Sequence, residues 1–286
     1  MRSVLESFLD GCQDDLAKPK MLVSLEHMRS VWEQSVKSGG LWDEFSLVEV
    51  FLSSSRLNDQ LKIIFGSKER GETVDTKTEA AGIEFVSARV VFSYPDTIMF
   101  TSEIQAKYDL IFRFSFRLLT LARSLSNHRF HGKPTSDSKR LDILKCQMLN
   151  FVSVVHQYLI FDVLLSNWDQ FVNTVASASE VIQIVEKHSE FLDSCLRLAG
   201  LTNPRLIERY DSILSHIQQF VANPASLESK LDDYQREFND LIRGFLEALE
   251  YFSSRDYDYH LSILFGRLDH NSYYYSSGFG VKNIIG

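Results

Sequence analysis

The chain has 286 residues, 44% of them hydrophobic and 24% charged, with a net charge of −8. That length supports one large core or two modest ones, and the acidic balance, without a cluster of Lys and Arg, excludes a duplex-binding surface built on phosphate contacts. Thirteen Gly and five Pro are few for this length, which favours long helices over many short strands.

Taken in order, residues 3–17 and 22–37 read as two amphipathic helices, separated where Pro19 ends or restarts the first and closed by Gly39-Gly40. A third helix is predicted over about 43–64, stopping at Gly66, and the polar, glycine-punctuated stretch 66–82 reads as a loop. Ala88, Val90, Phe92 and Tyr94 then alternate with Arg89, Val91 and Ser93 ahead of Pro95, the pattern of one short extended segment near 84–94. From Lys107 to Leu125 the helical period returns with two apolar stripes and a polar face of Asp109, Arg113, Arg117 and Ser124. A helix with two apolar faces belongs in the middle of a bundle.

A long helix is predicted near 138–166, with Met148, Phe151, Val152, Val155 and Leu159 on one face and Val154, Tyr158, Phe161 and Leu165 on another. Its apolar run Cys146 to Phe161 contains Gln147, Asn150, His156 and Gln157, so it reads as a buried helix and not a membrane span. The stretch 179–199 is regular and Gly200 can end it. Asn203-Pro204 supplies a cap and a first-turn proline for the next helix, and Ser226 can cap another that carries Leu227, Leu231, Tyr234, Phe238, Leu241, Phe245 and Phe252. A last helix runs over about 256–266 before a frayed tail at 276–286. The fold class these patterns predict is all-α, an elongated set of antiparallel helical bundles with at most one short extended element.

Motifs that carry chemistry are scarce. The stretch Gly66 to Thr73 has the length of a phosphate-binding loop, but Glu72 stands where a Lys must cradle the phosphate. His128 and His131 are the nearest approach to a metal pair, and no HExxH, nucleophile elbow or dinucleotide fingerprint occurs. The cysteines, Cys12, Cys146 and Cys195, make no CxxC pair and read as small buried side chains in a reducing compartment. His188 falls on an apolar stripe and reads as a hydrogen-bonded packing residue. Asp232 and Asp233 diverge on their helix and read as a solvated face. Asp162 sits inside the apolar string LIFDVLL, where burial demands a partner: an ion pair to a neighbouring helix or an interface contact. Tyr257, Tyr259, Tyr273, Tyr274 and Tyr275 mix apolar rings with polar tips, as interface anchors do. These readings give no catalytic, cofactor or metal site. The N-terminal residues match neither a signal nor a transit peptide, and neither nucleic acid nor a membrane is an expected partner.

Several strings in order resemble the γ-tubulin complex protein family: FLDGCQDDLAKP, the extended stretch ending in Tyr94-Pro95, KYDLIFRFSFRLLTLARSL, MLNFVSVVHQYLIFDVLLSNW, HSEFLDSCLRLAGLTNPRL and RLDHNSYY. Together they cover about residues 8–275, and the HSEFLDSCL string is most similar to the component-two branch. Tyr94 stands where the family has Trp, and His270 where it has Phe. The resemblance implies the family's C-terminal γ-tubulin-binding domain, an all-helical, non-catalytic module of a complex that templates microtubule nucleation. It implies γ-tubulin as partner, other γ-tubulin complex proteins met mainly through an N-terminal half upstream of this chain, and a place in the cytoplasm and cytoskeleton at a centrosome or spindle pole body. Residues 1–65 would form a lobe at the junction with that half, 83–275 the main domain, and the chain would be a fragment or a shortened paralogue that binds γ-tubulin one to one. Candidate γ-tubulin contacts are Asn150, Gln157, Tyr158 and Asp162 in one block and Arg267, Asp269, Asn271 and Tyr274 in another. The alternative is a helical tethering or scaffold subunit unrelated to tubulin.

Overall fold

The structure, a computed structural model, describes residues 2–40, 42–65, 81–127, 136–222, 231–255, 259–270 and 274. The phosphate-loop look-alike at 66–73, His128, His131, Ser226, Tyr257, Asn271, Tyr273, Tyr275 and the 276–286 tail lie outside the described residues. The described chain is all-α apart from one two-stranded antiparallel sheet, as the periodicities predict. It divides into two compact units, Met1–Thr120 with Ser166–Leu196, and Leu121–Leu165 with Arg197–Gly286. The expected break between a 1–65 lobe and an 83–275 domain does not coincide with this division, and strand pairing gives the reason.

In the first unit, α1 (Arg2–Ala17) packs on α2 (Leu25–Ser38), whose cap Ser24 accepts from the His27 amide. Phe8 meets Trp32 edge-on at 5.6 Å between ring centroids, and Trp32 meets Phe45 of the short α3 (Trp42–Phe45) in the same way. The segment predicted as a helix over 43–64 is α3, then strand β1 (Val48–Leu52), then α4 (Leu57–Phe65). β1 pairs with β2 (Val86–Val90), Val50 opposite Ala88. The alternation Val48, Val50, Leu52 is a strand signal, but its pairing partner is 38 residues away (88 minus 50). On its other edge the Val48 and Val50 carbonyls accept from Trp32 Nε1 and Arg29 Nε. β1 is thus paired with β2 on one edge and has two carbonyls bonded on the other, and residues 1–65 are joined to those after 83. The Tyr94–Pro95 bond is cis.

The unit is drawn together by Arg113 of α5 (Ser102–Asn127), which is 2% exposed. Nη1 donates to Ser53 Oγ and Gln60 Oε1, and Nη2 to the carbonyls of Ser55 at 2.6 Å and Glu84 at 2.9 Å. One guanidinium therefore ties α5 to the exit of β1, to α4 and to the turn before β2. Asp109, one turn earlier, places Oδ2 3.9 Å from Nη1. Burial pushes its carboxyl up to about 6, against the opposing pull of Arg113. A folded value above the ordinary carboxylate value means the folded chain holds its proton more tightly, so stability rises as pH falls from about 6 towards 4. Asp109→Asn is expected to stabilise the protein by about 1–3 kcal/mol at pH 7.5. The gain should fade as pH drops through about 6, as read by urea melts of both proteins; a difference independent of pH would contradict it.

Also in this unit, α7 (Ser166–Ala176) packs on α8 (Val181–Leu198) through Phe171 stacked on Phe191 at 4.9 Å. His188 is the packing residue its stripe predicts: Nε2 lies 2.7 Å from the Tyr108 hydroxyl, with the rings of Phe100 and Phe171 against it. Burial lowers its pKa and keeps it neutral.

The second unit is a helical bundle of α6 (Ser136–Gln157) and its continuation, α9 (Pro204–Ala222), α10 (Leu231–Arg255) and α11 (Tyr259–Leu268). Gly200, at φ +74°, follows the end of α8 in the left-handed region that lacks a Cβ penalty there. Asn203 caps α9, its Oδ1 accepting from the amides of Arg205 and Leu206. On α10 the buried seam is Leu231, Tyr234, Phe238, Ile242, Phe245 and Leu249. The predicted near-heptad seam through Leu241 gives way to Ile242 because the straight helix keeps its 3.6-residue period. Tyr234 stacks on His216 and its hydroxyl donates to the His216 carbonyl. Asp232 and Asp233 are solvent-facing, as their spacing predicts, and pair with Arg140 and Arg236.

Candidate functional site

The long helix predicted near 138–166 is α6 followed without a break by a π-helical segment, Tyr158–Leu165, and then by α7. Met148, Phe151, Val152, Val155 and Leu159, the predicted core face, are all at most 1% exposed. The second predicted apolar face divides. Tyr158 is 1% exposed and its hydroxyl donates to the Leu198 carbonyl at 2.8 Å, whereas Phe161 is 60% and Leu165 50% exposed. Leu159 and Val163 face inward four residues apart, and Phe161 and Leu165 outward at the same interval, the spacing by which residues share a helix face.

Asp162 lies between those outward residues. Its Oδ1 accepts from Arg267 Nη2 at 2.8 Å and its Oδ2 lies 2.7 Å from Nη1 without a hydrogen bond, an ion pair that joins the π segment to the last turn of α11. The ion pair to a neighbouring helix is thus the alternative that holds. Asn150 and Gln157 are exposed, seven residues apart on α6, with Ile143 seven residues earlier and also exposed. No Lys, Arg, Asp or Glu occurs from Cys146 to Phe161, and the next charge, Asp162, is balanced by Arg267. From Cys146 to Phe161 the outward side of this helix is therefore amide-bearing, apolar and without charged side chains, whereas Lys139 and Asp142 are exposed nearer its start.

The second block of candidates plays a different part. Asp269 and Tyr274 are buried, and Asp269 Oδ1 accepts from the Tyr274 amide at 2.9 Å while Arg243 Nε donates to the Tyr274 carbonyl at 3.4 Å. They tie down the backbone that follows α11. Of the eight candidates, then, Asn150 and Gln157 face outward, Asp162 and Arg267 pair, Tyr158, Asp269 and Tyr274 are packed inside, and Asn271 lies outside the described residues. Phe161 and Leu165 fall with Val154 and Tyr158 on the second predicted apolar face, and the structure shows both Phe161 and Leu165 exposed. Tyr259, at 73% exposed, is the tail tyrosine that the structure shows facing outward.

Other chemistry is muted among the described residues. No group of three or more His, Cys, Asp and Glu is placed to hold a metal ion. Burial pushes the thiols of Cys12 and Cys195 up to about 12, so they stay protonated and unreactive. Cys146, expected inside, is exposed on α6. The helical stretch Lys139–Ala176 is long and apolar enough to cross a membrane by length and composition, with 39% of its most apolar window buried in the protein. Core helices of soluble proteins have the same properties, and the buried share here includes the predicted core face.

The fold and this face define a class: an all-α module that presents, along one helix, a stretch of uncharged surface with Phe161, Leu165 and two amides. The chain belongs to the family described as "Gamma tubulin complex component C-terminal", whose model matches residues 3–274. It is 25% identical to γ-tubulin complex component 2 of Arabidopsis thaliana over 76% of this chain and 33% of that protein. The mouse component 2 is 20% identical over 93% of this chain and 37% of its own length. Spindle pole body component alp4 of Schizosaccharomyces pombe is 21% identical over 87% and 42%. The human component 4 stands at 23%, so relatives carrying the component-two name are not set apart by identity. The chain spans between a third and somewhat over two-fifths of the length of these relatives.

Proposed function

We propose that this chain binds γ-tubulin through its second unit and works within a γ-tubulin complex that templates microtubules at a microtubule-organising centre. The observation that carries the reading is the family match across residues 3–274. Relatives named as γ-tubulin complex components and as a spindle pole body component support the complex and its location. Against a scaffold unrelated to tubulin stands the same match, which runs through both units instead of a single helix pair. Other γ-tubulin complex proteins are the further partners of this reading.

The outward side of α6 and the π segment is the surface proposed for γ-tubulin. The exposed Phe161 ring and Leu165 beside two amides, along a stretch without charged side chains from Cys146 to Phe161, suit the centre of a protein interface, where desolvating an unpaired charge is costly. Asn150, Gln157, Phe161 and Leu165 are the proposed contacts. Asp162 and Arg267 lie beside them, and Tyr158, Asp269 and Tyr274 act from inside by holding the backbone. Phe161→Ala is expected to weaken γ-tubulin binding by about 1–3 kcal/mol, as for a central interface ring. Titration of labelled γ-tubulin measures it, with Tyr94→Ala, an exposed residue of the first unit, as the control. Wild-type affinity in the Phe161 variant would remove this face from the proposal.

A further inference from the structure

The two-stranded sheet of the first unit has one edge in use and one open. In an antiparallel pair, residues that exchange hydrogen bonds alternate with residues whose amide and carbonyl point away from the partner strand. The Ser53 amide donates to the Phe85 carbonyl and the Val91 amide to the Leu47 carbonyl, so residues 85 and 91 face β1. Ala88 and Val90, opposite Val50 and Val48, therefore point outward. The same alternation shows on β1, where the outward carbonyls of Val48 and Val50 accept from Trp32 and Arg29. On β2, no hydrogen bond among the described residues reaches the amide or carbonyl of Ala88 or Val90. Both residues are half-buried, and no helix among the described residues packs on β2 as α2 packs on β1. A sheet edge with free donors and acceptors is a template for another strand.

From this geometry we infer that the edge of β2 at Ala88 to Val90 is a docking site for an extended, acidic segment of a partner protein, which adds to the sheet as a third strand. Arg89 sets the chemistry. A strand laid antiparallel along this edge exchanges hydrogen bonds with Ala88 and Val90 and places one residue directly opposite Arg89, on the same face of the sheet. The Arg89 side chain is 54% exposed, lies over the Phe51 ring and makes a single hydrogen bond among the described residues, to Glu49 at 3.4 Å. An exposed pair of that kind is weak, and the remaining guanidinium donors are open to a second carboxylate. Apolar residues on either side of the acid would lie beside Ala88 and Val90. A second copy of this chain is the wrong occupant. The register that uses Ala88 and Val90 of both copies sets Arg89 against Arg89, and like charges directly opposite are unfavourable. The surface lies wholly within the first unit, so it does not rest on the γ-tubulin reading.

Fluorescence anisotropy of a labelled peptide, Ser-Thr-Val-Glu-Val-Thr-Ser, titrated with the whole chain tests this. The peptide should bind at least about fivefold more tightly than its counterpart with Lys in place of Glu, and Arg89→Glu should reverse that order. N-methylation of the two valines, whose amides would bond Val90 and Ala88, should abolish binding. N-methylation of the central Glu, whose amide points away from the edge, should leave affinity within about twofold. Ala88→Pro removes an outward amide and no bond to β1, so it should block the peptide while the sheet stays paired; the methylated peptides decide the same point if that variant folds poorly. The inference is overturned if the Glu peptide shows no binding at about 1 mM, if the Lys peptide binds equally well, if methylating the valines changes nothing, or if Arg89→Glu leaves the preference as it was. Self-association of the chain that Ala88→Pro abolishes would assign the edge to a second copy and would also overturn it.

Discussion

Replacing Arg113 with alanine is expected to lower the stability of the first unit by about 3–5 kcal/mol, the range for breaking a buried, multiply bonded charge. The guanidinium serves four acceptors contributed by three separate segments, and the carbonyls of Ser55 and Glu84 lose their donor with it. No neighbour can take over both. Lysine is not a substitute, because one ammonium lacks the two-ended reach of the fork. The change should appear as a lower urea midpoint and faster exchange in β1, β2 and α4, the elements that Arg113 joins. A midpoint within experimental error of wild type would mean that the strands and α4 hold together without this residue.

Tyr158 provides the second large effect, and it separates a core role from a contact role. Tyr158→Ala should cost about 3–5 kcal/mol, as for other large-to-small changes in a packed aromatic site. Tyr158→Phe should cost only about 1–2 kcal/mol, the loss of one buried hydrogen bond that leaves the Leu198 carbonyl unmatched. Thermal melts of the three proteins give the comparison. If Tyr158→Ala melted like wild type but lost γ-tubulin, the ring would be a contact and its burial would not govern its role.

The helices were legible because their stripes are long and regular. Asn203-Pro204 opened α9 and Gly200 followed α8 where local chemistry alone requires it. β1 was not legible in the same way. Its alternation is five residues long, sits between helical patterns, and acquires its meaning from β2 and from two side chains of α2. Tertiary pairing of that kind overrides a local period. The division into two units was hidden for a related reason: its boundaries fall within continuous helical stretches, after 120, 165 and 196, where composition does not change.

At the candidate site, the sequence singled out its residues for a mixed set of reasons. A carboxylate among apolar residues demanded a partner, and Arg267 is that partner. Tyr158, Asp269 and Tyr274 looked like surface contacts because their polar atoms needed a use, and the structure supplies that use internally. Phe161 and Leu165 looked like core because they share an apolar stripe with Val154 and Tyr158, and in a run such as YLIFDVLL nearly every position is apolar, so a stripe alone does not say which side is covered.

Sedimentation velocity of the purified chain mixed with purified γ-tubulin, with αβ-tubulin as the comparison, tests the central claim most directly. The account predicts a one-to-one complex with γ-tubulin that is little changed between low and moderate salt, because the proposed contacts Asn150, Gln157, Phe161 and Leu165 carry no charge. Separate boundaries for the two proteins at micromolar concentrations, or equal association with αβ-tubulin, would contradict it.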